Sequence, residues 1–333
     1  MILHPAVIAL LTGSLFITLM VVYATYWGWK IISKWDLQSG SEQQLALEKK
    51  TYLISTLMAY AFIFQILSFF LMVYVADDLH RLFVGAMCAA GTLNVNENGY
   101  PAVVLKVLNC MLGGVWLILN HTDNRAADYP LTRKKYSMLI AIVPFLLFEA
   151  EQLWSYFLNL KANVITSCCG SLFSADEEGV AAGLAGLPVI PMQIAFFGIM
   201  AVTLASGVYY LMKQKGGYLF AAVGTLTFPV SVAALISFIS LYFYELPTHH
   251  CPFCILQREY NYVGYLIYLA LMGGGIASAG VWALMPFRSM PSLRKNLPRI
   301  QRRLTGAGIT LYAVLTAVVF FRMFFSDFML TRT

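Results

Sequence analysis

Long apolar runs separated by short polar clusters form the first pattern along the chain. A helix needs roughly 20 mainly apolar residues to cross about 30 Å of hydrocarbon, which offers backbone groups no partner of its own. Eight runs meet that length, at approximately 5–33, 52–75, 102–120, 137–158, 189–212, 217–243, 254–285 and 304–326. The seventh is longer than a span needs, which predicts tilt or an extension past the membrane. The first lacks a charged start and ends in Tyr26-Trp27-Gly28-Trp29-Lys30. It is expected to remain a span with aromatic residues at the interface, not a cleaved leader. The polar stretch 34–51 predicts a short cytoplasmic helix with Ser41 as its cap.

Composition agrees with a membrane chain. Of 333 residues, 59% are hydrophobic and 11% charged, where soluble domains run about 45–50% and about 25%. This excludes a soluble globular enzyme, a disordered chain and a nucleic-acid binder. The expected fold class is all-α and polytopic, with about eight transmembrane helices and lipid as the surrounding partner. The net charge of +6 then reflects cytoplasmic loops. Sixteen of the 22 Lys and Arg fall within 30–50, 125–135, 213–215 and 288–303. That bias puts both termini and the loops 76–101, 159–188 and 244–253 on the outer side of an inner (cytoplasmic) membrane.

The six cysteines follow this topology. Cys88, the adjacent pair Cys168 and Cys169, and Cys251 with Cys254 fall in the three outer loops, while Cys110 lies inside a span as a packing residue. The outer side is the oxidising one, where retained thiols serve as disulfides, redox couples or metal ligands. The densest chemistry is His249-His250-Cys251-Pro252-Phe253-Cys254-Ile255-Leu256-Gln257-Arg258-Glu259. If the seventh helix starts at Cys254, its N-terminus lowers the thiol pKa and makes a Cys251–Cys254 disulfide readily exchangeable. Arg258 and Tyr262 then follow at one-turn intervals on the same face, flanked by Gln257 and Tyr265. An arginine there is a functional candidate that could bind a quinone carbonyl. Phe320, Phe321, Phe324 and Phe325 could enclose the ring.

The run Cys251-Pro252-Phe253-Cys254-Ile255-Leu256-Gln257-Arg258 resembles the membrane thiol oxidases of the DsbB type. The order of parts, with the Cys168–Cys169 loop before the Cys-x-x-Cys, resembles the vitamin K epoxide reductase branch of quinone-linked disulfide enzymes. The resemblance implies a four-helix redox bundle from spans four to seven. It implies electron exchange between an outer thiol protein, the loop pair, the Cys251–Cys254 couple and a membrane quinone, ubiquinone or menaquinone. Arg258, Gln257 and Tyr262 would hold the quinone, and Cys88 could serve as a third relay thiol. On this basis residues 137–333 form a five-helix redox region. Residues 1–136 form a three-helix region whose role the resemblance does not supply.

Other readings stay open. His249 and His250 beside Cys251 and Cys254 also suit a zinc or cuprous site, or else form a solvated loop pair. Adjacent cysteines such as Cys168 and Cys169 resemble those of mercury-transport membrane proteins, so a soft-metal transporter is the alternative. A membrane subunit of a larger redox complex, with cysteines that staple loops, is another. Lys106, Glu149 and Glu151 lie within spans at similar depth, which predicts a buried ion pair or a proton path. No Cys-x-x-Cys-His motif, opposed pair of span histidines or nucleotide loop is present, which argues against haem and nucleotide chemistry.

Overall fold

The computed structural model describes residues 3–36, 39–126, 128–161, 166, 180–326 and 328. Among these residues it is helical, with no strand. Eight helices are long and apolar enough to cross a membrane. They are α1 (Pro5–Lys34), α2 (Glu42–Leu79), α3 (Gly99–Asp123), α4 (Thr132–Leu158), α5 (Val189–Lys213), α6 (Gly217–Tyr244), α7 (Val263–Leu284) and α8 (Leu297–Phe325). Short helices at Ala89–Leu93 and Val180–Ala185 lie in the connections.

Two boundaries depart from the sequence pattern. Ser41 does cap a helix, accepting the Gln44 N–H at 3.3 Å. That helix is α2 itself, because no Gly or Pro interrupts Glu42–Leu79. Its 38 residues reach about 57 Å, well beyond the hydrocarbon. The second departure is in α7, which starts at Val263 and not at Cys254. Gln257 is extended (φ −79°, ψ 163°), and Asn261 and Tyr262 are left-handed (φ 52° and 56°). No α-helix can pass through such backbone.

The chain forms two compact units. The first comprises Met1–Val75, Asn96–Leu160 and Pro286–Gln301. In it α4 packs against α1 and α3. Val21, Ile54, Met58, Phe62, Trp116, Tyr136 and Leu139 make its apolar core. A polar knot crosses this unit. Glu149 of α4 accepts Lys106 Nζ at 2.7 Å, Asn109 Nδ2 at 2.7 Å and the Gln65 amide. Lys106 and Glu149 are both buried, so the expected ion pair forms, whereas Glu151 is exposed. A charge in hydrocarbon is tolerated only with such partners. The knot ties α4 to α3 within this unit. A second buried pair, Lys135 with Asp123 at 2.8 Å, closes the turn between α3 and α4. Asp123 also accepts the Leu131 N–H and the Thr132 hydroxyl.

The second unit comprises Ala76–Val95, Lys161–Met285 and Arg302–Thr333. Here α6 packs against α5 and α7. Thr203 and Thr227 hydroxyls meet at 2.7 Å between α5 and α6. The Tyr312 hydroxyl of α8 donates to Gly224 O at 2.6 Å. Near its end α6 contains a π turn, Leu235–Ile239. The wider turn disturbs the i→i−4 ladder and leaves a carbonyl available to a side chain. His250 takes the Ile236 carbonyl.

Candidate functional site

The loop between α6 and α7 carries the Cys-x-x-Cys, and two tyrosines fix its backbone. Tyr244, the last residue of α6, donates its hydroxyl to Cys251 O at 2.5 Å and accepts the Ile255 N–H at 3.0 Å. Tyr268, in the second turn of α7, donates to Pro252 O at 2.7 Å. Residues 251–256 are buried, so these bonds satisfy peptide groups that water cannot reach. Gly264 lets the loop lie on α7, since a Cβ there would stand 2.9 Å from Ile255 O.

A second segment brings Cys88. It runs from the end of α2 through a turn into the short helix Ala89–Leu93. Asp77 Oδ1 accepts the Ala89 N–H at 3.3 Å and the Gln257 amide at 3.1 Å. The same Gln257 amide donates to Met87 O at 2.8 Å. Gln257 therefore joins the Cys-x-x-Cys loop to Met87 O directly and to the Ala89 N–H through Asp77. Thr166 completes the clasp, with its N–H on Val84 O and its hydroxyl on Gly91 O, both at 3.0 Å. Gly85 (φ +90°) makes this approach feasible, because a Cβ there would collide with the Thr166 carbonyl.

The result is a group of three thiols. Cys88 Sγ lies 3.6 Å from Cys251 Sγ. The sulfurs of Cys88, Cys251 and Cys254 all fall within 4.8 Å of one another, and all three residues are buried. No disulfide joins them. His249 Nε2 stands 3.3 Å from Cys254 Sγ, and its ring meets Tyr244 edge-on at 4.3 Å between centroids. Burial pushes the His249 imidazole below its ordinary pKa, partly opposed by Cys88. It is therefore neutral at pH 7 and has a lone pair to offer. The neighbouring His250 is buried with Nδ1 2.9 Å from the Ile236 carbonyl. A carbonyl only accepts, so Nδ1 carries the proton. Neither histidine is the solvated loop residue that one sequence reading allowed.

Several expected positions differ. Cys254 opens a three-residue 3-10 turn, which aligns too few peptides to activate a thiol as a long helix does. The stripe Cys254–Arg258–Tyr262 is not formed, because the chain between them is not α-helical. Arg258 and Tyr262 are exposed, and Gln257 is taken up in the clasp. Cys168 and Cys169 lie outside the described residues. Cys110 is buried and donates to Gln65 O at 3.4 Å, a packing role as expected.

An open groove of about 640 Å³ lies beside the thiol loop. Phe243, Val263, Ala317, Val318 and Phe321 line it, with Glu259, Tyr260, Asn261 and Arg322 as its polar edge. Its volume is in the range of sites for organic molecules of quinone size. The Tyr260 ring stands 5.0 Å from Tyr244. Burial, then the nearby Cys254 and Glu259, push the Tyr260 phenol up. Arg322 donates to Tyr242 O, Phe243 O and Glu245, which also caps the end of α6.

The structural roles of Tyr244, Tyr268 and Asp77 were not visible in the sequence, where such residues look like interfacial or loop positions. Compared with family models, curated proteins and solved structures, the chain matches none.

Proposed function

We propose that this multi-pass membrane protein is a thiol–disulfide oxidoreductase that exchanges electrons between outer-side thiols and a membrane quinone. The observation that carries the reading is the 3.6 Å approach of Cys88 Sγ to Cys251 Sγ with Cys254 in the same cluster. Three thiols in mutual reach can pass a disulfide by exchange, in which one thiolate attacks and another leaves. His249 takes the proton from Cys254, whose sulfur it touches. Cys88 gives its proton to His249, and its thiolate attacks a Cys251–Cys254 disulfide at Cys251. The Cys88–Cys251 bond forms, the Cys251–Cys254 bond breaks, and Cys254 leaves as a thiolate that recovers its proton from His249. A partner dithiol then reduces Cys88–Cys251 and becomes a disulfide, with two electrons and two protons conserved. A quinone, when bound, supplies the acceptor for the two electrons and two protons that Cys251 and Cys254 lose as they form their disulfide. Reversing each step gives the reductive direction.

The basic-residue bias supports an inner-membrane location with the cysteine loops outside. Cys168, two residues after Thr166 in the sequence, is the candidate entry point for partner electrons. The test uses reduced full-length protein in lipid nanodiscs with a short-chain ubiquinone as probe. One quinol formed per disulfide, lost in Cys251→Ser and Cys254→Ser but kept in Cys88→Ser and Cys110→Ser, supports the reading. Quinol formation that is indifferent to Cys251 and Cys254, or none at all, refutes it.

A further inference from the structure

We infer that the reduced site holds one thiophilic d10 cation, Zn2+ or Cu+, on the sulfurs of Cys88, Cys251 and Cys254, with His249 as the fourth ligand when the cation is zinc. This goes beyond the redox proposal and does not depend on it.

The donor set is the first argument. Three thiolates and one imidazole are the Cys3His combination of structural zinc sites, and thiolates alone suit cuprous copper. The ligands come as a Cys-x-x-Cys plus a distant cysteine, a spacing zinc sites share. Geometry is the second argument. Tetrahedral zinc with sulfur at about 2.3 Å sets sulfurs about 3.8 Å apart. Cys88 and Cys251 are 3.6 Å apart, and no sulfur pair in the cluster exceeds 4.8 Å. Ligation therefore asks for shifts of about 1 Å or less. His249 presents Nε2 at the Cys254 edge, 3.3 Å from its sulfur.

The surroundings point the same way. Tyr244, Tyr268 and Gln257 hold the ligand-bearing backbone from outside the cluster, as outer hydrogen bonds do around metal ligands. Arg258, which would repel a cation from one turn below Cys254, is instead exposed. His250 is excluded from the set because it serves the α6 π turn through Nδ1. A disulfide between any two of the cysteines removes two donors, so cation and disulfide exclude each other.

The experiment titrates reduced, chelator-stripped full-length protein in nanodiscs. One arm uses Zn2+ against a chromophoric chelator and a second uses Cu+ against a cuprous chelator. Co2+ serves as the spectroscopic stand-in for zinc. We expect one cation per chain, and a Co2+ spectrum whose charge-transfer intensity reports three thiolates. Cys88→Ser should weaken binding roughly 100-fold or more, in keeping with loss of a ligand. Cys110→Ser and the double variant Cys168→Ser with Cys169→Ser should bind as the unsubstituted protein does. His249→Ala should weaken Zn2+ about 10-fold or more while leaving Cu+ unchanged. The inference is overturned if neither cation binds, if Co2+ reports fewer than three thiolates in the unsubstituted protein, or if binding follows Cys168 and Cys169. Zn2+ binding indifferent to His249→Ala overturns the four-ligand zinc site. The Co2+ spectrum needs no variant, so a misfolded Cys88→Ser does not rescue the idea. Disulfide chemistry is read separately on metal-free protein, so either proposal can fail alone.

Discussion

Removing one hydroxyl, in Tyr244→Phe, should open the thiol loop. The ring keeps its contacts with His249 and Tyr260, so the change isolates two hydrogen bonds. It leaves Cys251 O without its 2.5 Å donor and Ile255 N–H without its 3.0 Å acceptor. Both residues are fully buried, so neither group finds water while the loop stays closed. A buried polar group left unpaired costs about 1–3 kcal/mol. Taking about 1 kcal/mol for each gives about 2 kcal/mol against the closed loop, or about 30-fold more opening, at about 1.4 kcal/mol per factor of ten. Tyr268→Phe strips one donor, from Pro252 O, and by the same reasoning should give about 5-fold. The assay is N-ethylmaleimide labelling of Cys251 in reduced, metal-free protein, quenched at intervals and read by peptide mass. Cys251 is inaccessible in the closed loop, so its labelling rate follows the open fraction. A Tyr244→Phe rate within twofold of the unsubstituted protein would refute the reasoning. So would Tyr268→Phe opening the loop more than Tyr244→Phe.

Gln257→Ala removes both bonds that join the Cys-x-x-Cys loop to the Cys88 segment. It should slow Cys88–Cys251 disulfide formation about 10-fold, measured by a time course of oxidant-driven crosslinking. Lys106→Met strands the buried Glu149 carboxylate and should cost about 3–5 kcal/mol. Adding Glu149→Gln should recover part of that loss, so thermal unfolding in detergent should rank the double variant above Lys106→Met. The opposite ranking contradicts the ion-pair account. Gly85→Ala meets both a positive φ and the Thr166 carbonyl. It should destabilise the Cys88 segment by about 1–2 kcal/mol or more, seen as faster labelling of Cys88 with Cys110 unchanged.

The eight spans were legible because hydrocarbon imposes a length and a composition on any helix that crosses it. The Lys106–Glu149 pair was legible for the same reason, since a lone intramembrane charge demands a partner. The start of α7 was not. Hydropathy carries the run 254–285 through Gln257-Arg258-Glu259, but the extended backbone of Gln257 and the left-handed Asn261 and Tyr262 end any helix there. That misplacement also displaced the quinone stripe, because Arg258 and Tyr262 share a face with Cys254 only on a helix. The packing of α4 in the first unit was hidden too. Its partner is set by Glu149 reaching Lys106 of α3, a contact that hydropathy alone does not rank. Cys88 showed its composition but not its address. It lies 163 residues from Cys251 in sequence, and the Asp77, Gln257 and Thr166 bonds that bring it close involve residue types common in any loop.

Non-reducing peptide mapping tests the central claim most directly. Reduced, metal-free protein in nanodiscs is oxidised with one equivalent of a thiol oxidant, trapped at low pH and digested. The account predicts that disulfides appear within Cys88, Cys251 and Cys254, with the Cys88–Cys251 linkage present in the earliest samples. Oxidation that leaves all three as thiols, or that links Cys251 and Cys254 while Cys88 never enters a disulfide, contradicts it.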